Sequence, residues 1–190
     1  MKFPVIQIDA FTDVPFYGNP AAVCPLDEWL PEAVMQSIAA EMNLSETAFF
    51  VPNPNHENEY DLRWFTPTVE VDLCGHATLA SGHVVLSRSP TDQTQVKFHT
   101  RSGILGVERR NGMLELDFPS NPPSMLTDLD EIAAVELALG AVPREILHAN
   151  TTIAVFDSET QVAALKPNFD AVARLKEPWL AATAPADAAE

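Results

Sequence analysis

The chain has 190 residues, 46% of them hydrophobic and 20% charged, enough apolar material to bury a core and too much for a disordered or collagen-like polymer. Lysine and arginine number 11 against 27 aspartates and glutamates, a formal net charge of −16 spread along the chain rather than held in an acidic tail. So anionic a surface repels phosphate backbones and anionic lipid, which argues against nucleic acid and membrane surfaces as partners and leaves small molecules and proteins.

The two cysteines, Cys24 and Cys74, lie in unrelated contexts, so neither a disulfide framework nor a four-cysteine zinc site can be built from them, and a reducing, cytoplasmic setting is expected. The first residues, Met1 to Asp9, reach an acid before any long apolar run, unlike a secretory signal or a membrane span.

In chain order, Phe3 to Asp9 reads as a strand entering the turn-rich Thr12 to Pro20, and Ala21 to Cys24 as a second strand. A helix follows, with Pro31 in its first turn, apolar Val34, Met35, Ile38, Ala39 and Met42 at three- and four-residue steps, and Asn43 to end it. Thr47 to Val51 and Tyr60 to Phe65 are strands joined by the polar stretch Pro52 to Glu59; Tyr60, Leu62 and Trp64 share one face, opposite Asp61 and Arg63. Cys74 to Leu86 is helical, with Leu79, His83 and Leu86 expected on the inward face and small Ala77, Ala80 and Ser81 permitting close packing. Gln95 to Thr100, Gly103 to Arg110 and Met113 to Phe118 are strands, the last two joined by Asn111-Gly112, a pair suited to the two positive φ angles of a type I′ turn.

Pro119, Pro122 and Pro123 break the pattern, so a first domain is expected over 1–118, a linker over 119–124 and a partial second domain over 125–179. Within that second part Asp128 to Leu139 reads as a helix stopped by Gly140, with Leu129, Ile132, Val135 and Leu139 inward. Ile146 to His148 and Thr151 to Phe156 are strands, and Phe169 to Leu175 is a short helix. The alanine-rich residues 180–190 offer little to anchor a core and are expected to be an unstructured tail.

Chemistry concentrates in two places. Glu46, in Asn43-Leu44-Ser45-Glu46-Thr47, sits where a helix gives way to an apolar strand, a position where a carboxylate is easily desolvated and suited to general acid/base work. Cys74-Gly75-His76-Ala77-Thr78 puts a glycine before a small-residue helix, where free backbone N–H groups and the positive dipole end could receive a carboxylate. There His76 could donate to the anion or pass a proton, and the dipole would favour a Cys74 thiolate. His83 shares the helix face of His76, but Cys74, His76 and His83 cannot close a tetrahedron alone, so no metal is expected. Gly18-Asn19-Pro20 is ordinary turn chemistry with an amide able to reach a ligand. Arg63 and Trp64 read as sheet surface, and Glu70 and Asp72 as two solvated charges.

Taken together, Asp9-Ala10-Phe11-Thr12, Gly18-Asn19-Pro20-Ala21-Ala22-Val23, Met42 to Phe49, Arg63-Trp64-Phe65-Thr66-Pro67 and Cys74-Gly75-His76-Ala77-Thr78-Leu79-Ala80 closely resemble the phenazine-biosynthesis PhzF-like family. The likeness is dense over about the first half and thin through Pro167-Asn168-Phe169. It implies an α+β, diaminopimelate-epimerase-like fold: a curved mixed sheet wrapped around a central helix in each of two halves, the active site between them, and here an incomplete second half. By the same resemblance Glu46 is the catalytic base of a cofactor-free isomerisation, His76 its catalytic companion, and Asn19, Ser45, Gly75 and Ala77 contact a small carboxylate-bearing substrate. Cys74 falls where related epimerases carry a thiol acid/base, whose second cysteine this sequence lacks. Neither metal, flavin nor nucleotide is implied. Family members continue into an acidic-Pro-Val-Thr-Gly-Ser-Ala-like motif that this sequence lacks, so the expected alternative to an active isomerase is a non-catalytic remnant or a small-molecule-binding module that forms a homodimer.

Overall fold

The computed structural model describes residues 2–89, 93–177 and 179–186. The chain forms two compact units, Met1–Phe118 and Pro119–Glu190, each described by itself below.

In the first unit β1 (Ile6–Ala10) and β2 (Asn19–Pro25) pair antiparallel, α1 (Glu32–Met42) leads to β3 (Thr47–Pro52), and β4 (Glu59–Phe65) and the two-residue β5 (Glu70–Val71) precede α2 (Gly75–Arg88). Strands β6 (Gln95–Thr100), β7 (Gly103–Arg110) and β8 (Met113–Asp117) complete one mixed sheet, ordered β1-β2-β3-β4-β6-β7-β8 with β5 on β4. Its parallel pairs are β2 with β3 and β4 with β6. The sheet curls around α2, which packs on β1, β2, β3, β6, β7 and β8, while α1 packs on β3 and β4.

Two apolar clusters follow from period-two alternation. Ala21 and Val23 of β2, Ala48 and Phe50 of β3, and Leu62 and Trp64 of β4 join Ala77, Ala80, Val84 and Val85 of α2. The intervening Cys24, Phe49, Val51 and Phe65 pack with Met35 and Ala39 of α1 on the other face. The small residues of α2 are required: a Cβ at Gly82 would fall 2.6 Å from Val107 Cγ1. One inward assignment fails, for His83 is exposed while Val84 and Val85 are buried, because the sheet wraps the helix over a wider arc than one stripe.

Local signals place the turns as expected. Asn43 closes α1 in the left-handed region at φ 51°, and Asn111 (φ 52°) and Gly112 (φ 81°) form the β7–β8 turn. Arg63 is half-buried rather than plain surface. Its guanidinium grips Glu70 through two 2.7 Å bonds, reaches Glu32 at 2.7 Å, and lies over the rings of Trp29 and Phe65. Glu70, only 9% exposed at its side chain, is thus a paired charge and not a solvated one.

In the second unit β9 (Ser124–Met125), α3 (Leu129–Leu139), β10 (Glu145–His148), β11 (Thr152–Val155), α4 (Glu159–Ala163), α5 (Phe169–Val172) and β12 (Leu180–Thr183) form a sheet ordered β12-β11-β10-β9 with three helices. Asp128 caps α3 by accepting from the N–H groups of Asp130 and Glu131, and Gly140 ends it at φ 66°. Val135, Leu139, Ile146, Ala154 and Phe156 form the core, with Ile132 packed against it. Leu129, expected inward, is 78% exposed because it is the first helical residue, beyond the reach of the sheet. A capping box on Ser158 and Gln161 starts α4, which sequence reading missed.

The expected unstructured tail is corrected. Leu180–Thr183 pairs parallel with Thr152–Val155, and Leu180 and Ala182 bury into the second core beside Ala184. The free edge of β11 supplies the reason: Phe156 N–H donates to the Thr183 carbonyl at 2.8 Å, and Thr151 Oγ1 to the Trp179 carbonyl at 2.6 Å. Residues 187–190 of that tail lie outside the described residues.

Candidate active site

Glu46 is the residue immediately before β3. In phase with Ala48 and Phe50, it falls on the α2 side of the sheet, and Asn19 does likewise in phase with Ala21 and Val23. Parallel pairing of Ala22 with Thr47 brings the starts of β2 and β3 to one end of the sheet. There α2 begins, with Cys74 as its N-cap residue and no side chain capping its first turn.

The result is a tight cluster. One ligand-capable atom each of Glu46, Cys74 and His76 lies within 4.8 Å of the other two. His76 Nε2 is 3.5 Å from Glu46 Oε2, and His76 Nδ1 is 3.5 Å from Cys74 Sγ. His76 and Cys74 are each 7% exposed, while the Glu46 side chain keeps 21% of its surface accessible. The carboxylate is therefore the member of the three that a ligand can reach.

Burial sets the protonation of the other two. Loss of solvent holds the His76 imidazole below its ordinary range, although the Glu46 carboxylate and the Pro20 carbonyl pull the other way. His76 is thus a neutral imidazole near pH 7, and its buried Nε2 has no hydrogen-bond partner. The Cys74 thiol is pushed up to about 12, chiefly by burial, with Glu46 adding to the effect and the Ala77 N–H opposing it. The expectation of a dipole-favoured Cys74 thiolate is therefore overturned: desolvation outweighs the helix terminus.

The structure brings Glu46, Cys74 and His76 together and sets Gly75 and Ala77 in the same first turn of α2, where backbone N–H groups lack helical acceptors. The aromatic edge of Phe118 lies 3.4 Å from where a Cβ on Gly75 would stand. Asn19 opens β2 and Ser45, exposed, precedes Glu46; among the described residues neither forms an ion pair or side-chain hydrogen bond with the cluster. His83 is not a member. Trp64, read from the sequence as sheet surface, is instead buried: it pairs with Ala48 on the α2 face and its indole Nε1 has no partner. Its alternation with Leu62 was the available signal.

The chain matches the family described as phenazine biosynthesis-like protein over residues 8–190. It is 47% identical over 176 residues to an uncharacterized isomerase of Pseudomonas aeruginosa, covering 93% of this chain and 64% of that protein. A crystal structure of a PhzF-family phenazine biosynthesis protein from Enterococcus faecalis superposes with a TM-score of 0.85 at 41% identity, covering 99% of this chain and 70% of that one. The fold is shared further with a predicted epimerase of Pseudomonas aeruginosa, at a TM-score of 0.76 and 18% identity over 95% of this chain and 70% of that one. The chain thus spans somewhat less than two thirds of the length of its isomerase relative. Among the described residues no helix is long and apolar enough to cross a membrane. From the extent of these matches, the chain belongs to the PhzC-PhzF family of phenazine biosynthesis-like proteins.

Proposed function

We propose that this chain is a cofactor-independent isomerase that moves a proton between two carbons of a small carboxylate-bearing metabolite, with Glu46 as the proton carrier. The observation that carries the reading is the accessible Glu46 carboxylate held 3.5 Å from a buried neutral imidazole at an uncapped helix N-terminus.

The substrate carboxylate docks on the N–H groups of the first turn of α2, at Gly75 to Ala77, where the dipole favours negative charge. Glu46 removes a proton from an adjacent activated carbon, the electron pair shifts along the conjugated system, and the resulting carboxylic acid returns the proton to the second carbon. No oxidant or electron acceptor is consumed, and Glu46 ends ionised as it began. His76, neutral throughout, offers its Nε2–H to Glu46 or to developing negative charge on substrate oxygen. Asn19 and Ser45 line the approach. Cys74, a buried thiol, orients His76 through Nδ1 and does not carry the proton.

Solvent-exchange kinetics test this. The full chain is incubated in D2O with a panel of small unsaturated and amino carboxylates, and deuterium at carbon is followed by NMR. Glu46→Gln is expected to lower incorporation by about 10²-fold or more with an unchanged far-ultraviolet spectrum. Incorporation at the wild-type rate in that variant overturns the assignment.

A further inference from the structure

At the far end of β4 stands a second cluster that the proposed reaction does not use. Parallel pairing of β4 with β6 sets Glu59 against Lys97 and Asp61 against His99. His99 Nε2 lies 2.5 Å from Glu59 Oε2, and the other carboxylate oxygen is 3.5 Å from Lys97 Nζ. His56, from the loop ahead of β4, stacks its ring on that of His99 with centroids 5.1 Å apart and planes 9° from parallel. One ligand-capable atom from each of His56, Glu59 and His99 falls within 4.8 Å of the others.

We infer that His56, Glu59 and His99 form a binding site for one divalent transition-metal ion of the zinc class. Two imidazole nitrogens with one carboxylate oxygen suit zinc, nickel or copper better than magnesium or calcium, which prefer oxygen alone. The site is already shaped. The Asn53 side chain accepts from the backbone N–H groups of Asn55 and His56 at 2.9 and 3.1 Å and donates to Asp61, which fixes the loop that carries His56. Metal–ligand bonds of about 2.1 Å in a tetrahedron put donor atoms about 3.4 Å apart, so the ion would replace the 2.5 Å His99–Glu59 hydrogen bond, whose atoms must separate, while rotation of the exposed His56 ring brings in the third donor. Water would fill the open positions.

The place is separate from Glu46. Tyr60 pairs with Pro52 at this end of β3 and β4, and Phe65 with Thr47 at the other, a separation of roughly 17 Å along the strands. The bound ion would clamp the Pro52–Glu59 loop onto β6, a structural role rather than a catalytic one.

Calorimetric titration of the chelator-treated full chain with zinc chloride tests the inference, with cobalt absorption reporting the ligand set. One equivalent is expected to bind, and zinc is expected to raise the melting temperature. His56→Ala, in an exposed loop where folding is not at risk, and His99→Ala should each weaken binding about tenfold or more. A Glu46→Gln/Cys74→Ala variant, which disables the other cluster, should bind as wild type. No saturable binding, or binding lost in that double variant and kept in His56→Ala, overturns the proposal.

Discussion

His76 Nε2 and Glu46 Oε2 face each other across 3.5 Å, a gap that no hydrogen bond closes. Burial keeps the imidazole neutral against that attraction, so the two side chains face each other without forming an ion pair.

Stability should register this. Above the ordinary imidazole value of 6.5, His76 is neutral folded and unfolded and adds no pH dependence. As pH falls below 6.5 the unfolded chain takes up a proton that the folded site refuses, so stability declines until the folded group also protonates. Urea midpoints between pH 8 and 5 should fall more steeply for wild type than for His76→Gln. Equal slopes would show that His76 is not held neutral.

Cys74 and Cys24 are both buried with thiols pushed up to about 12. Iodoacetamide at pH 8 is therefore expected to leave both unmodified in the native chain and to alkylate both in urea. Cys74→Ala should keep the proposed deuterium exchange within about tenfold of wild type, the size of a positioning effect rather than of a lost base; a collapse of exchange with the fold intact would return Cys74 to a proton-carrying role.

Gly82→Ala places a methyl 2.6, 2.7 and 2.9 Å from three side-chain atoms of Val107. Overpacking at so close a helix–sheet contact should cost about 1–3 kcal/mol in urea unfolding. The double variant Gly82→Ala/Val107→Ala should recover part of that loss, and absence of any coupling would mean that the two positions do not touch.

Arg63 combines two bonds to Glu70, one to Glu32 and two aromatic faces. A lysine cannot reproduce the planar fork, so Arg63→Lys should lose about 1–3 kcal/mol despite keeping its charge. Denaturant midpoints for Arg63→Lys and Arg63→Ala check this, the latter expected lower because the aromatic packing goes as well.

Much of this was legible because its causes are local. Asn111-Gly112 fixes a turn by backbone conformation alone, Gly140 ends α3 for the same reason, and the small residues of α2 announce a helix that the sheet approaches closely. Glu46 and His76 were legible as types at junctions, and the resemblance implied that they share a site; the parallel β2–β3 register that brings them together is not encoded in periodicity. What escaped is non-local. The strand Leu180–Thr183 exists because β11 has a free edge, His83 points out because the sheet wraps most of α2, and the Cys74 thiol is governed by a burial that no short motif encodes.

Strand β3 is gripped from both sides, Ala48 and Phe50 by the α2 cluster and Phe49 and Val51 by the α1 cluster. Glu46 leaves that strand as its first free residue. For the proton transfer proposed at Glu46, a carboxylate rooted in so firmly seated a backbone has little to rearrange, so the reorganisation that solvent would demand at each transfer is met in advance by folding.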